Sequence, residues 1–488
     1  MQEISAVYTR NSRPIRVLQY GEGNFLRAFV DYMIDIANEK GSFDGDVAVV
    51  KPIVYGSLEQ FAKQDNLYTV CLRGKAGGQV IRENRVIKCI GQTVDAYEAY
   101  DAYIALAREE TLEFIVSNTT EAGIVFDPSD QFDLCPPHTY PGKLTQFLYK
   151  RFEYFHGALE KGIVILPVEL IENNGGKLKD CVLRLINTWK LPDTFKAWVE
   201  ESCVFCSTLV DRIVTGYPKD TVSDYWQELG YEDRLLAVCE PFALWVIESP
   251  KDISARLPLD KAGLPVVFTK DQRPYRERKV RLLNGAHTST ILGAYLAGMD
   301  IVGECMADPD IRRFMAEAVY SEIAPTVPLP KEEVKAFAGS VFERFENPFI
   351  RHALLSIALN SVSKWKSRIL PSLLDSLEQT GKLPKCLTFS FAALLAFYTC
   401  KKQADGSYVG NRSGGGTYPV QDDQPALEFF AAHSGKPAAE YAQLAASNAS
   451  FWGRDLAQIP GFVKAAAMHL DNIHTMGARA AMNRLFEE

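Results

Sequence analysis

The stretch VLQYGEGNFLRAF, residues Val17–Phe29, decides the fold of the first half of the chain. A short apolar run leads into Gly21-Glu22-Gly23, and a helical pattern follows from Phe25 to Ala37. The first glycine permits a tight turn, the second lets the backbone approach a pyrophosphate, and the start of the helix attracts negative charge. The stretch predicts a strand, turn and helix that bind a dinucleotide, although a tight turn without a ligand has the same pattern.

Two details of this motif bear on the choice of cofactor. Leu26 stands where the usual motif has its third glycine, and the next residue, Arg27, could pair directly with a phosphate. The preference for NAD or NADP usually lies at the end of the second strand, where an acid binds the ribose 2′-hydroxyl. Here that run ends Val50-Lys51-Pro52 without an acid. Because Lys51 could accept a 2′-phosphate, the sequence leaves NADP open beside NAD.

Further apolar runs extend the pattern along the chain. They are Val47–Val54, Phe114–Ser117 and Ile163–Leu166, and helical patterns separate them. Continuous apolar runs separated by helices predict a parallel sheet that is covered on both faces, which is an α/β fold.

The second half of the chain has a different pattern, because helical periodicity dominates from about Lys279 onward. Arg351–Leu374 and Gly461–Leu485 are predicted to be helical. A chain of 488 residues is long enough for two domains. We expect a Rossmann-type dinucleotide-binding domain over 1–270 and a mainly α-helical substrate and catalytic domain over 271–488.

A glycine-rich segment, Ala404–Gln424, interrupts the helical half. It contains Ser413-Gly414-Gly415-Gly416. Such glycine density predicts a flexible surface loop, which is either a simple connector or a lid over a site.

Composition and charge exclude several classes of protein. The formal net charge of −8 and the pI of about 5.6 lack the basic footprint of a nucleic-acid-binding protein. The N-terminus has no signal-peptide pattern, and the most apolar stretch, Leu387–Tyr398, is too short to span a membrane. The ten cysteines have no metal-binding spacing, and the Cys203/Cys206 pair has no second pair. We therefore expect a cytoplasmic protein without a metal, and the oligomeric state stays open.

The segment ERKVRLLNGAHTSTILGAYLAG, Glu277–Gly298, contains a candidate catalytic set. On a regular helix, Lys279, Asn284 and His287 fall within an arc of about 140°. Oxidation of a secondary alcohol needs a base for the hydroxyl proton, and a lysine with a pKa lowered toward ~7–8 can serve. An amide and an imidazole can hold the oxygen. From spacing alone, the favoured interpretation is a surface lysine and a histidine with satisfied contacts in the core.

Two motifs together resemble the mannitol dehydrogenase family of long-chain dehydrogenases. They are G-x-G-x-F-x-R-A at Gly21–Ala28 and K-x4-N-x2-H at Lys279–His287. Further segments resemble a branch of that family that acts on hexuronates, which are sugar acids. These segments are Gln19–Asp31, Ser117–Ile124, Phe205–Pro218, Leu283–Thr288, His352–Asn360 and Tyr418–Asp423.

The resemblance implies an NAD-dependent, metal-independent oxidoreductase whose general base is Lys279 and whose oxygen-binding residues are Asn284 and His287. It also implies a cofactor site at the first turn. The expected cofactor-binding residues are Val17, Leu18, Gln19, Tyr20, Gly21, Glu22, Gly23, Asn24, Phe25, Leu26, Arg27, Ala28 and Asn118.

One departure from the family pattern concerns the substrate. Polyol enzymes of the family carry an Asp-Asn pair whose asparagine lies beside the reacting oxygen, but here the pair is Glu169-Leu170. Leu170 cannot replace that amide, so either the oxygen contacts are redistributed, or Glu169 or Asn174 contributes.

A sugar-acid substrate also needs a cationic partner for its carboxylate. Arg351 and Lys364 are the main candidates, with Arg368 and Arg212 beside them. The alternatives are another hexuronate or polyol dehydrogenase of the same family, or a non-catalytic dinucleotide-binding protein.

Overall fold

The computed structural model describes residues 1–119, 122–412 and 415–487. The backbone divides into two units. The first consists of Met1–Gly74 and Val80–Gln272, and the second of Lys75–Gln79 and Arg273–Glu488. Ser117–Ile124, one of the segments that carry the family resemblance, contains Thr120 and Glu121, which lie outside the described residues. Ser413 and Gly414 of the glycine-rich segment also lie outside them.

The strands belong mostly to the first unit, and only the last three lie wholly in the second. In chain order they are β1 (Gln2–Glu3), β2 (Ile15–Tyr20), β3 (Asp46–Lys51), β4 (Tyr68–Ala76), β5 (Gln79–Ile87), β6 (Ile90–Asp95), β7 (Phe114–Ser117), β8 (Val164–Pro167), β9 (Val204–Phe205), β10 (Ser207–Asp211), β11 (Val214–Gly216), β12 (Tyr231–Glu232), β13 (Ala237–Cys239), β14 (Leu244–Glu248), β15 (Val266–Thr269), β16 (Cys400–Lys402), β17 (Tyr408–Arg412) and β18 (Gly416–Pro419).

The central sheet of the first unit has six parallel strands in the order β6-β3-β2-β7-β8-β9. All residues of β3, β7 and β8 are buried, because apolar layers cover both faces of the sheet. The parallel sheet predicted from the continuous apolar runs is therefore confirmed, and β2 lies at its centre.

The first unit has nine α-helices among its described residues. They are α1 (Ile4–Val7), α2 (Asn24–Leu26), α3 (Tyr32–Glu39), α4 (Glu59–Lys63), α5 (Tyr100–Ala105), α6 (Tyr140–Tyr154), α7 (Asn174–Thr188), α8 (Asp193–Ser202) and α9 (Val222–Leu229). A π-helical turn over Arg27–Asp31 joins α2 to α3, so the predicted helix after the glycine turn runs unbroken from Asn24 to Glu39.

The second unit is mainly helical, as predicted. Its helices are α10 (Arg273–Arg278), α11 (Gly285–Leu296), α12 (Val302–Ala307), α13 (Pro309–Glu317), α14 (Lys331–Phe345), α15 (Leu354–Ile357), α16 (Ser361–Arg368), α17 (Leu370–Thr380), α18 (Lys385–Phe397), α19 (Gln424–His433), α20 (Ala438–Ala446), α21 (Ala449–Trp452), α22 (Phe462–Met476) and α23 (Ala478–Arg484). Two further π-helical segments, Lys279–Asn284 and Ala318–Ile323, lie between helices.

The two long helical predictions need correction. Arg351–Leu374 is not one helix, because it comprises α15, α16 and the start of α17, and Asn360 has a left-handed backbone with φ of 54°. Gly461–Leu485 breaks at Gly477, where φ is 85°. Apolar residues continue on both sides of each break, so the pattern alone does not reveal the turns.

The prediction of a flexible loop over Ala404–Gln424 is wrong for Tyr408–Arg412 and Gly416–Pro419, which are strands β17 and β18. They pair antiparallel with each other, and β16, just before the segment, pairs with β17. Gly406 turns the first hairpin with a φ of 87°, and a Cβ on Gly410 would lie 2.5 Å from the Tyr418 ring. The glycines therefore serve a tight turn and close packing, which composition cannot distinguish from flexibility.

The described cysteines and helices bear on two further expectations. All ten cysteines are free, and burial raises the pKa of Cys203 to about 12 and of Cys206 to about 11. Within the ranges that the structure describes, none of the helices combines the length and the apolar character needed to cross a bilayer.

Candidate functional site

The glycine turn lies at the carboxyl end of β2, in the middle of the parallel sheet. Gly21 has a φ of 122°, which side-chain-bearing residues rarely adopt, and its N–H donates to the Val50 carbonyl at 2.9 Å. Gly23 has an ordinary φ of −67°, and a Cβ built on it meets nothing within 4 Å. Open space beside Gly23 and the start of a helix together fit a pyrophosphate.

The side chain of Gln19 fixes this turn from beneath. Its Nε2 donates to the Gly21 carbonyl at 3.1 Å and to the Asp31 carboxylate at 3.3 Å. The Tyr68 hydroxyl donates to the same carboxylate at 2.8 Å. Burial raises the pKa of Asp31 to about 7. Gln19 was predicted to bind the cofactor. Its side chain is buried, and its hydrogen bonds support the turn.

Several other residues predicted at the cofactor are part of the core. Val17, Leu18, Tyr20 and Ala28 are fully buried, so their side chains act by packing. Leu26, in the place of the third glycine, packs over Gly21, because a Cβ there would lie 3.3 Å from its Cδ1.

Arg27 is engaged within the first unit. Its guanidinium donates to the Leu235 carbonyl and to the Asn24 side chain. The predicted pairing of Arg27 with a phosphate would require these bonds to change. Phe25 and Asn24 are partly buried, and Glu22 is half-buried, with a pKa that burial raises.

Asn118 follows β7, the strand next to β2. Its carbonyl lies 3.5 Å from the position of a Cβ on Gly21, and its N–H donates to the Tyr20 carbonyl at 3.3 Å. The structure therefore brings Asn118 beside the glycine turn, and its contact with the cofactor stays a prediction.

Lys51, at the end of β3, has all three donors of its ammonium group in use. Nζ contacts Asp95 at 2.8 Å and donates to the carbonyls of Ile53 and Val54 at 2.9 and 3.1 Å. Only 2% of Lys51 is exposed. Asp95 ends the neighbouring strand β6. It was not predicted from the sequence, because Lys51 and Asp95 meet only when β3 and β6 pair.

The pair Glu169-Leu170, where the sequence departs from the polyol enzymes, lies just after β8. The Glu169 carboxylate accepts from the Thr119 N–H and hydroxyl, both at 2.9 Å, and from Ser117 at 3.2 Å. Burial raises the pKa of Glu169. Leu170 is 64% exposed. The apolar side chain at the asparagine position thus points away from the core.

Asn174 lies fully buried at the start of α7. Its Nδ2 donates to the carbonyls of Pro167, Glu169 and Thr208, and its Oδ1 accepts from Gly175 and Thr208. All its polar atoms tie strand ends together. This placement argues against the predicted substrate contact.

Lys279 and Asn284 begin and end the π-helical turn between α10 and α11. The i→i+5 closure of a π-helix aligns the first and last of its residues on one side. The 100° spacing of a regular helix, assumed in the sequence analysis, does not apply here. Both side chains are partly buried, and their alignment on one face follows from this π-helical closure and stays a prediction.

His287 follows on α11, one turn later. Its ring stacks on Phe345 and meets His352 edge-on, with ring centroids 5.5 Å apart. The Nε2 atom is buried, and in the described residues it has no hydrogen-bond partner. Burial, and then the charges of His352, Arg368 and other cations, lower the pKa of His287 to about 3. The ring is neutral at physiological pH and has a vacant hydrogen-bonding position.

The predicted carboxylate-binding residues differ in their surroundings. Arg212 belongs to the first unit and is fixed by the carbonyls of Ala28 and Glu240. Arg351 is exposed. Lys364 and Arg368 lie on α16 and are partly buried. Sequence reading missed Arg344, whose charge also acts on His287.

In the described ranges, no group of three His, Cys, Asp or Glu residues is arranged to hold a metal ion. A Rossmann-type sheet with an open glycine turn and a helical unit with a Lys-Asn-His set define a two-domain protein of the dinucleotide-binding class. Residues 15–261 match the Mannitol dehydrogenase Rossmann domain, and residues 271–474 match the Mannitol dehydrogenase C-terminal domain. The chain belongs to the mannitol dehydrogenase family.

Relatives with a curated name are similar over nearly the whole length. The altronate oxidoreductase of Yersinia enterocolitica is 45% identical over 96% of this chain and 97% of its own. The altronate oxidoreductase of Escherichia coli K12 is 44% identical over 97% of both chains.

Two solved structures share the fold. The Pseudomonas fluorescens mannitol 2-dehydrogenase, in a ternary complex with NAD and D-mannitol, has a TM-score of 0.66 at 23% identity and covers 99% of this chain and 96% of its own. A D-sorbitol dehydrogenase has a TM-score of 0.76 at 21% identity, over 96% of this chain and 95% of its own.

Proposed function

We propose that this chain is an NAD-dependent altronate oxidoreductase of hexuronate catabolism. It converts D-altronate and NAD⁺ to D-tagaturonate, NADH and a proton, and it also runs in reverse. The similarity to altronate oxidoreductases over 96% of the chain supports the substrate. The observation that carries the chemistry is the buried, unpartnered Nε2 of His287 one helical turn after Asn284.

In the proposed reaction, Lys279 is the general base. It takes the proton from the secondary hydroxyl of the substrate. NAD, which the glycine turn and Asn118 would hold, would supply the acceptor for the hydride that leaves the same carbon. Asn284 donates a hydrogen bond to the oxygen that becomes the carbonyl. The neutral ring of His287 donates the second, which fills its vacant position. In the reverse direction Lys279 returns the proton.

We further propose a division of labour between the two units, with a boundary near residue 270. The first unit, 1–270, binds NAD at the glycine turn and Asn118. The second, 271–488, carries the base and binds the sugar acid. We place the protein in the cytoplasm, because its ten free cysteines suit a reducing compartment. Its partner is a small sugar acid, and a nucleic acid is not expected.

The state of Lys51 supports NAD over NADP. A 2′-phosphate would have to compete with Asp95 and two carbonyls for an ammonium group that is already saturated. The carboxylate of Asp95 would also repel it. From the sequence, Lys51 was a possible partner for the 2′-phosphate of NADP. Its saturated ammonium group is now the reason to favour NAD.

Steady-state rates with tagaturonate, fructuronate and fructose test the proposed substrate. We expect the highest kcat/KM with tagaturonate and NADH. Activity only on fructose would reject a sugar-acid substrate, and a preference for fructuronate would assign the chain to the other hexuronate reaction of the family.

The variant Lys279→Ala tests the base and excludes a non-catalytic dinucleotide-binding protein. We expect it to lose about 10²- to 10⁴-fold in turnover and to bind NADH normally. The control is Lys335→Ala, an exposed lysine of α14, which should keep full activity. Near-normal turnover of Lys279→Ala would reject the proposed base.

A further inference from the structure

The guanidinium of Arg368 is partly buried at the end of α16, and it has no hydrogen bond or ion pair within the ranges that the structure describes. Arg151, by contrast, is fully buried and donates to four main-chain carbonyls. Removing a cation from water is unfavourable unless a partner compensates it, so burial lowers the pKa of Arg368. An unpaired guanidinium in such a place lacks an anion.

Lys364 lies one helical turn before Arg368, so two cations share one face of α16. Its Nζ donates to the Ile357 carbonyl at 2.9 Å, which leaves two donors. Burial and then the charge of Arg368 lower the pKa of Lys364. The two side chains repel each other in the absence of an anion.

The nearby carboxylate of Asp422 does not neutralise this pair. Its oxygens accept from the Tyr398 hydroxyl and from the N–H groups of Val362 and Asp423. Asp422 therefore holds the loop before α19 and caps the start of α16. Although its charge acts on Lys364, it forms no ion pair with either cation of α16.

The two cations also lie close to the catalytic set of the second unit. The charges of Arg368 and Lys364 both act on His287, whose Nε2 has no partner. A ligand that reaches His287 with a hydroxyl oxygen can therefore present an anionic group to α16. A sugar acid has both groups, whereas a neutral polyol has only the first.

We propose that Arg368 binds the carboxylate of the substrate through its two-pronged guanidinium, with Lys364 adding a second cation, and that this pair selects sugar acids over neutral keto sugars. The proposal rests on the proposed function. Arg351, the other main candidate from the sequence, is exposed and is left outside the proposed site.

The test compares tagaturonate with tagatose, the neutral keto sugar that has a hydroxymethyl group in place of the carboxylate. For Arg368→Gln we expect a loss of roughly 10- to 100-fold in kcat/KM with tagaturonate, mainly through KM, and a change of less than about threefold with tagatose. Arg368→Lys should fall between, because it keeps the charge and loses the fork.

The matched control is Lys366→Gln, an exposed lysine on the same helix, which should leave both substrates unaffected. As a second readout, calorimetry with altronate should show the same rise in Kd for Arg368→Gln in the presence of NADH. Wild-type altronate affinity in Arg368→Gln, an equal loss for both sugars, or a selective loss only in Arg351→Gln would overturn the proposal. Failure of the wild-type protein to reduce tagaturonate would instead overturn the proposed function, and this inference with it.

Discussion

The imidazole ring of His287 lies parallel to the ring of Phe345, with centroids 4.1 Å apart and an angle of 11° between the planes. Phe345 ends α14, so a helix distant in the sequence sets the orientation of the imidazole. No hydrogen bond to the buried Nε2 does so in the described part of the chain. The stack fixes the plane of the ring and leaves Nε2 without a partner in the described residues, as the proposed substrate contact requires.

Replacing Phe345 with leucine should therefore lower kcat strongly and the free energy of unfolding only slightly. Loss of the flat contact lets the imidazole tilt, and we expect kcat to fall roughly 10- to 100-fold, since small misplacements of a reacting group are costly. The free energy of unfolding should fall by about 1 kcal/mol. Stopped assays at saturating substrate and urea unfolding measure the two effects.

Phe342→Leu is the control for this variant. Phe342 lies on the same helix, is 7% exposed against 6% for Phe345, and stacks on Tyr320 instead of His287. The two variants should lose similar stability, and only Phe345→Leu should lose kcat. Equal kcat in both would mean that the stack does not orient His287.

The pKa of His287 predicts a pH dependence of stability. Because burial lowers that pKa from 6.5 to about 3, the folded protein binds fewer protons than the unfolded chain between these two values. The free energy of unfolding should therefore fall as the pH decreases from about 6.5 to 3. Urea titrations at pH 7, 5 and 4 measure this slope, and His287→Gln should make it shallower. The same slope in wild type and in His287→Gln would show that folding does not lower the pKa of His287.

Much of the first unit could be predicted from the sequence, because its signals are local. The apolar runs, the glycine turn and the helix from Asn24 all follow from patterns within a few residues. The π-helical turn at Lys279–Asn284 could not be predicted in this way, since the spacing argument assumes the 100° per residue of a regular α-helix. The pairing of Lys51 with Asp95 needed the order of the strands.

Breaking the ion pair of Lys51 should weaken the preference for NAD. In Asp95→Asn, the amide oxygen can still accept from the N–H groups of Tyr97 and Glu98, while Lys51 loses its anion and regains a donor. We expect the Kd for NADPH to fall about tenfold relative to that for NADH, as measured by fluorescence titration. The double variant Lys51→Met/Asp95→Asn should lose this gain. A constant ratio of the two Kd values would show that Lys51 does not face the ribose.

Substitutions at the two glycines of the turn should have different effects: one should lower stability and the other should weaken cofactor binding. Gly21→Ala forces a side chain into a φ of 122° and places its Cβ 3.3 Å from Leu26, so we expect a loss of about 1–3 kcal/mol in stability. Gly23→Ala meets no strain and no atom within 4 Å, so its Tm should stay within a few degrees of wild type.

The methyl group of Gly23→Ala nevertheless occupies the open space that the proposal gives to the pyrophosphate. We expect its Kd for NADH to rise at least about tenfold, because the backbone can no longer approach the phosphates. Thermal unfolding with and without NADH reports both effects on one sample: wild type should gain stability with NADH, and Gly23→Ala should gain much less. Wild-type NADH affinity in Gly23→Ala would place the pyrophosphate elsewhere and remove the glycine turn from the cofactor site.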